Sequence, residues 1–528
     1  MLLKRIDRVR WLIIALLLGV CLRFSALGHK VYWHDEVFTS IRATGHSPSE
    51  VVSDLSDGRI VQPAELMAYR QFDATKGLQD ATNALLRHPE HPPLYYFLVR
   101  FWMQWVGDST AAVRSLSAVL SLLIFPALYW LCWELFGDTT VGTVAIALLA
   151  VSPFHLLYAQ EAREYSLWTF TVVMSSASLL RALRWNQPKD WGLYTLTIIM
   201  GLYTSLFAVL PTLSQGLYVL IREGGRWTRR TKVMLLVMAT AGVAYIPWIV
   251  TFATQLDIVH AQTNWLNVDE PLLSLAIFWG LHISSPFVDL GLDMTDLRIF
   301  IRLACALTFL GTALVVLVRH SPPRAWLFVL LLIGVTLIAL IVPDLLLGGQ
   351  RSSNSRYFVP TLIGLQIAVS FCLAHWLKHP HSRQRLLGKS LLMGLFGLGL
   401  VSCLLILKSP TWWTKWFAPE TIATANFLNQ QERPLLMSDL AGNRLGLLLS
   451  MSDRLNDTVR FQLAVPSHFP SIPEQGSIFV FGPHDSFHDV FREQQFTLEQ
   501  VQQPGVQLST LQVQSAPALA PKAQTKVE

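Results

Sequence analysis

WGLYTLTIIMGLYTSLFAVLPTLSQGLYVLI, residues 191–221, is an apolar run whose division decides how the whole chain is threaded. About 20 residues of helix cross a bilayer core, so 31 are too many for one untilted span. Polar Tyr203-Thr204-Ser205 stands at its middle and Pro211 lies beyond, so the run predicts two short helices joined by a turn near Ser205. Outward from it, runs of spanning length lie at 11–28, 112–133, 140–157, 165–183, 233–252, 299–318, 325–347, 357–377 and 387–408. Leu94 to Gly107 is shorter and is interrupted by Arg100, which suits an interfacial or re-entrant helix on the outer surface. With these two choices, Lys4/Arg5/Arg8/Arg10, Arg181/Arg184/Lys189, Arg222/Arg226/Arg229/Arg230/Lys232, Arg319/Arg324 and Lys378/Arg383/Arg385/Lys389 all fall on one side, the cytoplasmic one. Changing either choice alone scatters that set. The expectation is an α-helical polytopic membrane protein of about eleven spans, amino terminus cytoplasmic and carboxyl terminus outside.

Composition agrees. Of 528 residues 52% are hydrophobic and 14% charged, roughly half the charge of a soluble domain. The net charge of +6 is spread in short clusters between apolar runs instead of forming one basic face, a pattern of membrane topology that excludes a nucleic-acid partner. The five cysteines, Cys21, Cys132, Cys305, Cys372 and Cys403, lie in apolar runs without CxxC spacing, which reads as core packing. The first run follows four basic residues but no small-residue cleavage site succeeds it, so it reads as a retained anchor. Residues 1–410 are expected to form the membrane domain, with a first outer loop over about 28–111. Residues 411–503 have ordinary polar content, a helix-like Thr421–Gln431 and strand-like Val459–Val465 and Ser477–Phe481, and predict a small α/β domain on the outer face. Gln, Pro, Ala and Lys dominate 504–528, which predicts a disordered tail.

Under this threading four polar clusters collect on the outer side. Trp33-His34-Asp35-Glu36 sets two adjacent carboxylates just after the first span, costly there unless they bind a cation or handle a proton; solvated loop acids are the plainer alternative. His88-Pro89-Glu90-His91-Pro92-Pro93-Leu94-Tyr95-Tyr96 starts the interfacial helix, its prolines suiting a helix start and its Glu90 and His91 offering a titratable group and a metal ligand. Tyr158-Ala159-Gln160-Glu161-Ala162-Arg163-Glu164-Tyr165 packs three charges into a turn, as a site lining or as a surface ion pair. Arg351-Ser352-Ser353-Asn354-Ser355-Arg356-Tyr357 puts two arginines where the positive-inside trend forbids them, and so calls for an anionic partner or lipid headgroup. A base for an acceptor hydroxyl and cations for a departing phosphate are what removal of a sugar from a lipid phosphate requires. Asp35 suits the first role, and Arg163, Arg351 and Arg356 the second.

In this order the clusters resemble the GT-C superfamily of polytopic glycosyltransferases, in particular glycosyltransferase family 39, with its protein O-mannosyltransferases, and the related aminoarabinose transferases. The resemblance rests on Asp35-Glu36, His91-Pro92-Pro93-Leu94, Arg114, Gln160 to Tyr165 and Ser355-Arg356-Tyr357, over about residues 11–377. It implies inverting transfer of a hexosyl or pentosyl group from a polyprenyl-phosphate monosaccharide to a lipid, protein or polysaccharide acceptor at the periplasmic face. The carboxylates Asp35 and Glu36 would be catalytic, Arg163, Arg351, Arg356 and Tyr357 would hold the donor phosphate, and His91, Tyr95, Arg114, Glu161 and Tyr165 would shape the pocket. Some members use a divalent metal, for which Glu90, His91 and His260 are the candidates here. Many relatives carry a histidine after the Tyr-Thr of the paired short helices, where this chain has Ser205. A lipid-linked glycan ligase on a related scaffold is the neighbouring alternative. A transporter or flippase would place its charges at mid-membrane on two related halves, whereas here they sit at one face and the halves do not match.

Overall fold

The computed structural model describes residues 2–291, 298–464, 477–482, 491–492, 494 and 496–513; the side chains of Lys4, Arg5 and Arg8, Val465, and residues 514–528 of the expected tail lie outside them. The chain is an integral membrane protein. Among the described residues seven helices are long and apolar enough to cross a bilayer: Thr110–Phe136, Tyr165–Trp185, Arg229–Thr254, Arg298–His320, Pro323–Leu347, Ser355–Leu377 and Ser382–Lys408. Thr139–Ala150 and Pro153–Ala159 make an eighth if counted together. Fewer than the expected eleven pass this test; the unbroken helix Leu2–Phe24 is not among them, and elsewhere the expected spans are short or bent.

The 191–221 run divides as expected, into Pro188–Leu202 and Val209–Arg222 with a short 3-10 turn at Leu206–Ala208. Ser205 caps that turn by accepting from Phe207 N, and Thr204 returns its hydroxyl to Met200 O at 2.6 Å. The interfacial helix Leu94–Val106 is tied to the same break, since Leu94 N donates to Tyr203 O at 3.0 Å. The expected span 140–157 is not one helix. It bends by 61° between Ala150 and Pro153, because proline lacks the donor that would continue the ladder. Three carbonyls freed there find partners at long range: Arg23 of the helix Leu2–Phe24 donates to Leu149 O (3.1 Å) and Ala150 O (3.4 Å), and Cys403 Sγ to Val151 O (3.3 Å). Arg23 also lies over the Phe125 ring at 4.7 Å and is wholly buried. Burial sorts the spans: 94% of the apolar stretch of Ser355–Leu377 is enclosed by protein, against 17% of Arg298–His320. The former is central, the latter faces lipid. Inner helices hold together through polar groups as well as packing; Gln215 donates to the Ser175 and Ser176 hydroxyls and accepts from Tyr194.

The chain divides into two compact units, one of residues 1–30, 42–45 and 72–414, the other of 31–41, 46–71 and 415–528. The division is drawn elsewhere than at 410: two stretches of the first outer loop fold with the carboxyl-terminal region. The second unit carries six described strands, β1 Asp57–Val61, β2 Leu435–Ser438, β3 Arg460–Ala464, β4 Ile478–Phe481, β5 Phe496–Gln500 and β6 Leu508–Val513, in the order β1-β3-β2-β4-β6-β5. β2 runs parallel to β3 and β4, while β1, β5 and β6 pair antiparallel at the flanks. β6 lies inside the stretch expected to be a disordered tail: pairing with β4 and β5 gives this segment the hydrogen bonds that its composition conceals. With the helices Ala418–Leu428 and Arg444–Ser452 the unit is the small α/β domain expected. Glu36, wholly buried, meets Lys415 Nζ at 3.4 Å and accepts from Trp33 N, and Lys415 lies over the Trp33 ring at 5.0 Å.

Removal of one partner from a buried pair strands the other charge. Lys415→Met should destabilise the protein by about 3–5 kcal/mol, and adding Glu36→Gln should restore much of that. Thermal unfolding of the single and double variants checks it; equal stability of Lys415→Met and the wild type would contradict the pair's role.

Candidate active site

Several motif residues serve the backbone. Gln160, 2% exposed, donates to the carbonyls of Leu22 (3.0 Å), Arg23 (3.3 Å) and Ser25 (2.7 Å), which close the first helix, and accepts from Lys30 Nζ at 3.4 Å. Arg114, buried without exposure, donates to Leu27 O (2.8 Å) and Lys30 O (3.0 Å). The Tyr95 hydroxyl meets Ser117 Oγ at 2.6 Å, and Ser117 donates to Arg163 O. Of these two residues expected in the pocket wall, Arg114 holds the 27–30 backbone and Tyr95, through Ser117, holds the backbone of the 160–164 turn. Arg351 does similar work: Asp344 accepts from Arg351 N and its guanidinium (3.1 Å each) and from Ser352 N and Oγ (2.7 and 2.6 Å), while Arg351 also reaches Gly348 O and Asn267. Trp279 Nε1 adds a bond to Ser352 Oγ at 2.8 Å.

Arg163 and Arg356 form the cationic centre of the first unit. The Arg356 guanidinium lies 5.7 Å from the Tyr165 ring centre and 5.6 Å from that of Tyr357; that of Arg163 lies 5.8 Å from Tyr165. Two guanidiniums thus share one aromatic ring, an arrangement that orients planar donors. The parts are fixed: the Tyr158 hydroxyl meets Ser355 Oγ at 2.9 Å, Tyr158 packs edge-on against Tyr165 at 5.0 Å, and Tyr357 stacks on Phe207 at 4.3 Å. Arg163 is buried against Glu164 (3.2 Å) and the Tyr96 hydroxyl (3.4 Å), whereas Arg356 and Tyr357 are half-buried. Glu161, 2% exposed, belongs to the same turn, its carbonyl accepting from Arg163 N.

Beside the start of the interfacial helix, His88 Nδ1 lies 3.3 Å and His91 Nε2 3.7 Å from Glu90 Oε1. Burial by itself would raise the Glu90 carboxyl, but the hydrogen bond from His88 and the charges of His91 and Arg42 outweigh it and hold it at about 2. His91 packs on Tyr96 at 5.9 Å, next to the Arg163 partner. Among the described residues no group of three or more His, Cys, Asp or Glu side chains has a geometry that could hold a metal ion, and His260 is exposed on the separate helix Leu256–Thr263.

Asp35 and Glu36 lie in the second unit, in the first turn of the helix His34–Thr44, where the helix dipole favours carboxylates. They differ sharply. Glu36 is committed to Lys415, while the Asp35 side chain keeps 18% exposure and has His34 Nε2 at 3.2 Å from Oδ1. Of the expected catalytic pair, Asp35 is the more exposed and Glu36 is enclosed with Lys415. Arg23, Lys30, Asp344 and Lys415 were not legible as site supports, although each was visible as a charge beside an apolar run.

Residues 90–250 match the family model described as dolichyl-phosphate-mannose-protein mannosyltransferase, a stretch that holds the His91, Arg114 and Gln160–Tyr165 motifs. No curated protein matches the chain by sequence. Among solved structures the chain is similar to ArnT from Cupriavidus metallidurans bound to undecaprenyl phosphate, at 13% identity and a TM-score of 0.54, over 95% of this chain and 97% of that one. The apo state of the same ArnT gives 13% identity and a TM-score of 0.52, over 96% and 98%. An oligosaccharyltransferase from Archaeoglobus fulgidus tethered to an acceptor peptide matches at 12% identity, over 88% of this chain and 65% of that one, with a TM-score of 0.49. The chain shares the fold of this ArnT.

Because the folded Glu90 value lies below the ordinary 4.5, its contribution to stability is complete above about pH 4.5 and is lost as pH falls towards 2. Melting temperatures of the wild type should therefore fall more steeply below pH 4.5 than those of Glu90→Gln; parallel curves would contradict the cluster.

Proposed function

We propose that this chain is an inverting glycosyltransferase that moves a monosaccharide from a polyprenyl-phosphate carrier to an acceptor hydroxyl on the outer face of the membrane. The observation that carries the reading is the pair of guanidiniums, Arg163 and Arg356, held over the Tyr165 ring with Arg356 half-buried. An anion of phosphate geometry suits that pair, and the cations would stabilise the charge that develops as the phosphate leaves. The ArnT of the same fold is described with undecaprenyl phosphate bound, and the matching family model is named for a dolichyl-phosphate-mannose donor, both of which support a lipid-phosphate carrier.

In the reaction the bond from the anomeric carbon to the phosphate oxygen breaks and a bond from that carbon to the acceptor oxygen forms on the opposite face. The acceptor proton passes to Asp35, and the carrier leaves as polyprenyl phosphate. Arg356, with Arg163 behind it, holds the phosphate; Tyr357, stacked on Phe207, and Tyr165 orient the guanidiniums. Arg351 acts through Asp344 and Ser352 by fixing the backbone that presents Arg356. Glu161 and His91 shape the acceptor side. Glu36 positions the Asp35 turn through Lys415. The distribution of lysine and arginine supports an outer-face site, so that a lipid-linked sugar rather than a cytosolic nucleotide sugar is the donor.

Asp35→Asn should lower transfer by about 10²–10⁴-fold, the range for loss of a general base, with the KM for donor little changed. Arg356→Ala should lower kcat/KM for donor by about 10²-fold or more. Steady-state transfer in nanodiscs measures both; full activity in Asp35→Asn would remove it from catalysis, and normal donor kinetics in Arg356→Ala would remove the phosphate role.

A further inference from the structure

Between the helices Val209–Arg222 and Arg229–Thr254 lies a cavity of about 380 Å³ that the reaction does not use. Leu213, Gly216, Leu220, Met234 and Met238 give it apolar walls, and Trp227 stands at its end. Its volume is that of a small-ligand site, yet the lining offers almost no hydrogen-bonding group, so what fits it is hydrocarbon. The helix 229–254 is largely lipid-facing, with 28% of its apolar stretch enclosed by protein.

What distinguishes this cavity from ordinary lipid contact is its rim. The loop that closes it, Arg222 to Lys232, carries Arg222, Arg226, Arg229, Arg230 and Lys232 against a single acid, Glu223. Glu223 is engaged by Arg230 at 3.4 Å, and Arg226 and Arg229 are exposed. The amino-terminal end of the 229–254 helix adds its own positive pole to the same rim. The cavity is also remote from the proposed donor site. Val209–Arg222 begins beside Phe207, which stacks on Tyr357, and ends 14 residues later at the basic loop, about 20 Å away along the helix axis. The two ends therefore meet opposite leaflets.

We propose that this cavity seats one acyl chain of an anionic phospholipid whose phosphate lies on the Arg226/Arg229 rim, a structural lipid site in the leaflet opposite the donor. Apolar space between helices beneath a basic collar is how membrane proteins select anionic lipids, and Trp227 at the boundary suits the headgroup level. The site does not rest on the proposed function.

Retained phospholipid is counted by native mass spectrometry after release from nanodiscs of phosphatidylcholine with or without phosphatidylglycerol. Wild type should retain phosphatidylglycerol about tenfold over phosphatidylcholine, and Arg226→Gln/Arg229→Gln should bring the ratio to parity. Gly216→Leu fills the cavity: a Cβ there meets Met238 Cε, the far end of an unbranched side chain, at 2.7 Å, so the larger side chain takes the chain's place and the bound lipid should be lost, with the melting temperature in phosphatidylcholine unchanged. Equal retention of the two lipids by the wild type, or unchanged phosphatidylglycerol retention in either variant, would overturn the proposal. So would preferential retention of added undecaprenyl phosphate that Gly216→Leu abolishes.

Discussion

Backbone that leaves the helical ladder inside a membrane must find partners within the protein, and the first unit is organised around that constraint. Arg23 serves the break at 150–153, Gln160 the carbonyls that end the first helix, Arg114 those of Leu27 and Lys30, and Asp344 the backbone of Arg351 and Ser352. Each is a buried polar side chain, and all but Asp344 reach far along the chain. Removing any of them strands carbonyls or amides that lipid cannot hydrate.

The constraint explains why polar motifs of one kind of appearance do two kinds of work. Arg351 and Arg356 stand five residues apart, yet one is tied to Asp344 and Gly348 O while the other lies half-buried over Tyr165 and Tyr357. Asp35 and Glu36 are adjacent, yet the latter is sealed against Lys415. In each pair one member is held by a charged partner, Arg351 by Asp344 and Glu36 by Lys415. Catalytic groups in a membrane need such support, because a mobile charge there is drawn to the nearest water or carbonyl instead of to its substrate.

Much of this was legible in the sequence. The turn near Ser205, the short helix after Pro93 and the polar clusters all follow from local pattern: a run too long for one span, prolines at a helix start, charges where apolar residues belong. What was not legible depends on partners distant in sequence. Nothing near Pro153 says that Arg23 will take the carbonyls that make a sharp bend tolerable, so 140–157 read as one span. Asp57–Val61 has no strand pattern of its own and gains its place from β3, four hundred residues on. Leu508–Val513 hid in a stretch rich in Gln and Pro until β4 and β5 paired with it. Within the clusters, composition singled out candidate residues, and bonding partners distant from that pattern tie Arg351 to Asp344 and Glu36 to Lys415.

The account stands most directly on the identity of the donor. Purified protein in nanodiscs, offered a panel of radiolabelled polyprenyl-phosphate sugars and, separately, the matching nucleotide sugars, with envelope lipid and glycan extracts as acceptors, should transfer label from at least one lipid-linked sugar and from no nucleotide sugar. Transfer from a nucleotide sugar, or from none of the lipid-linked donors, would contradict it.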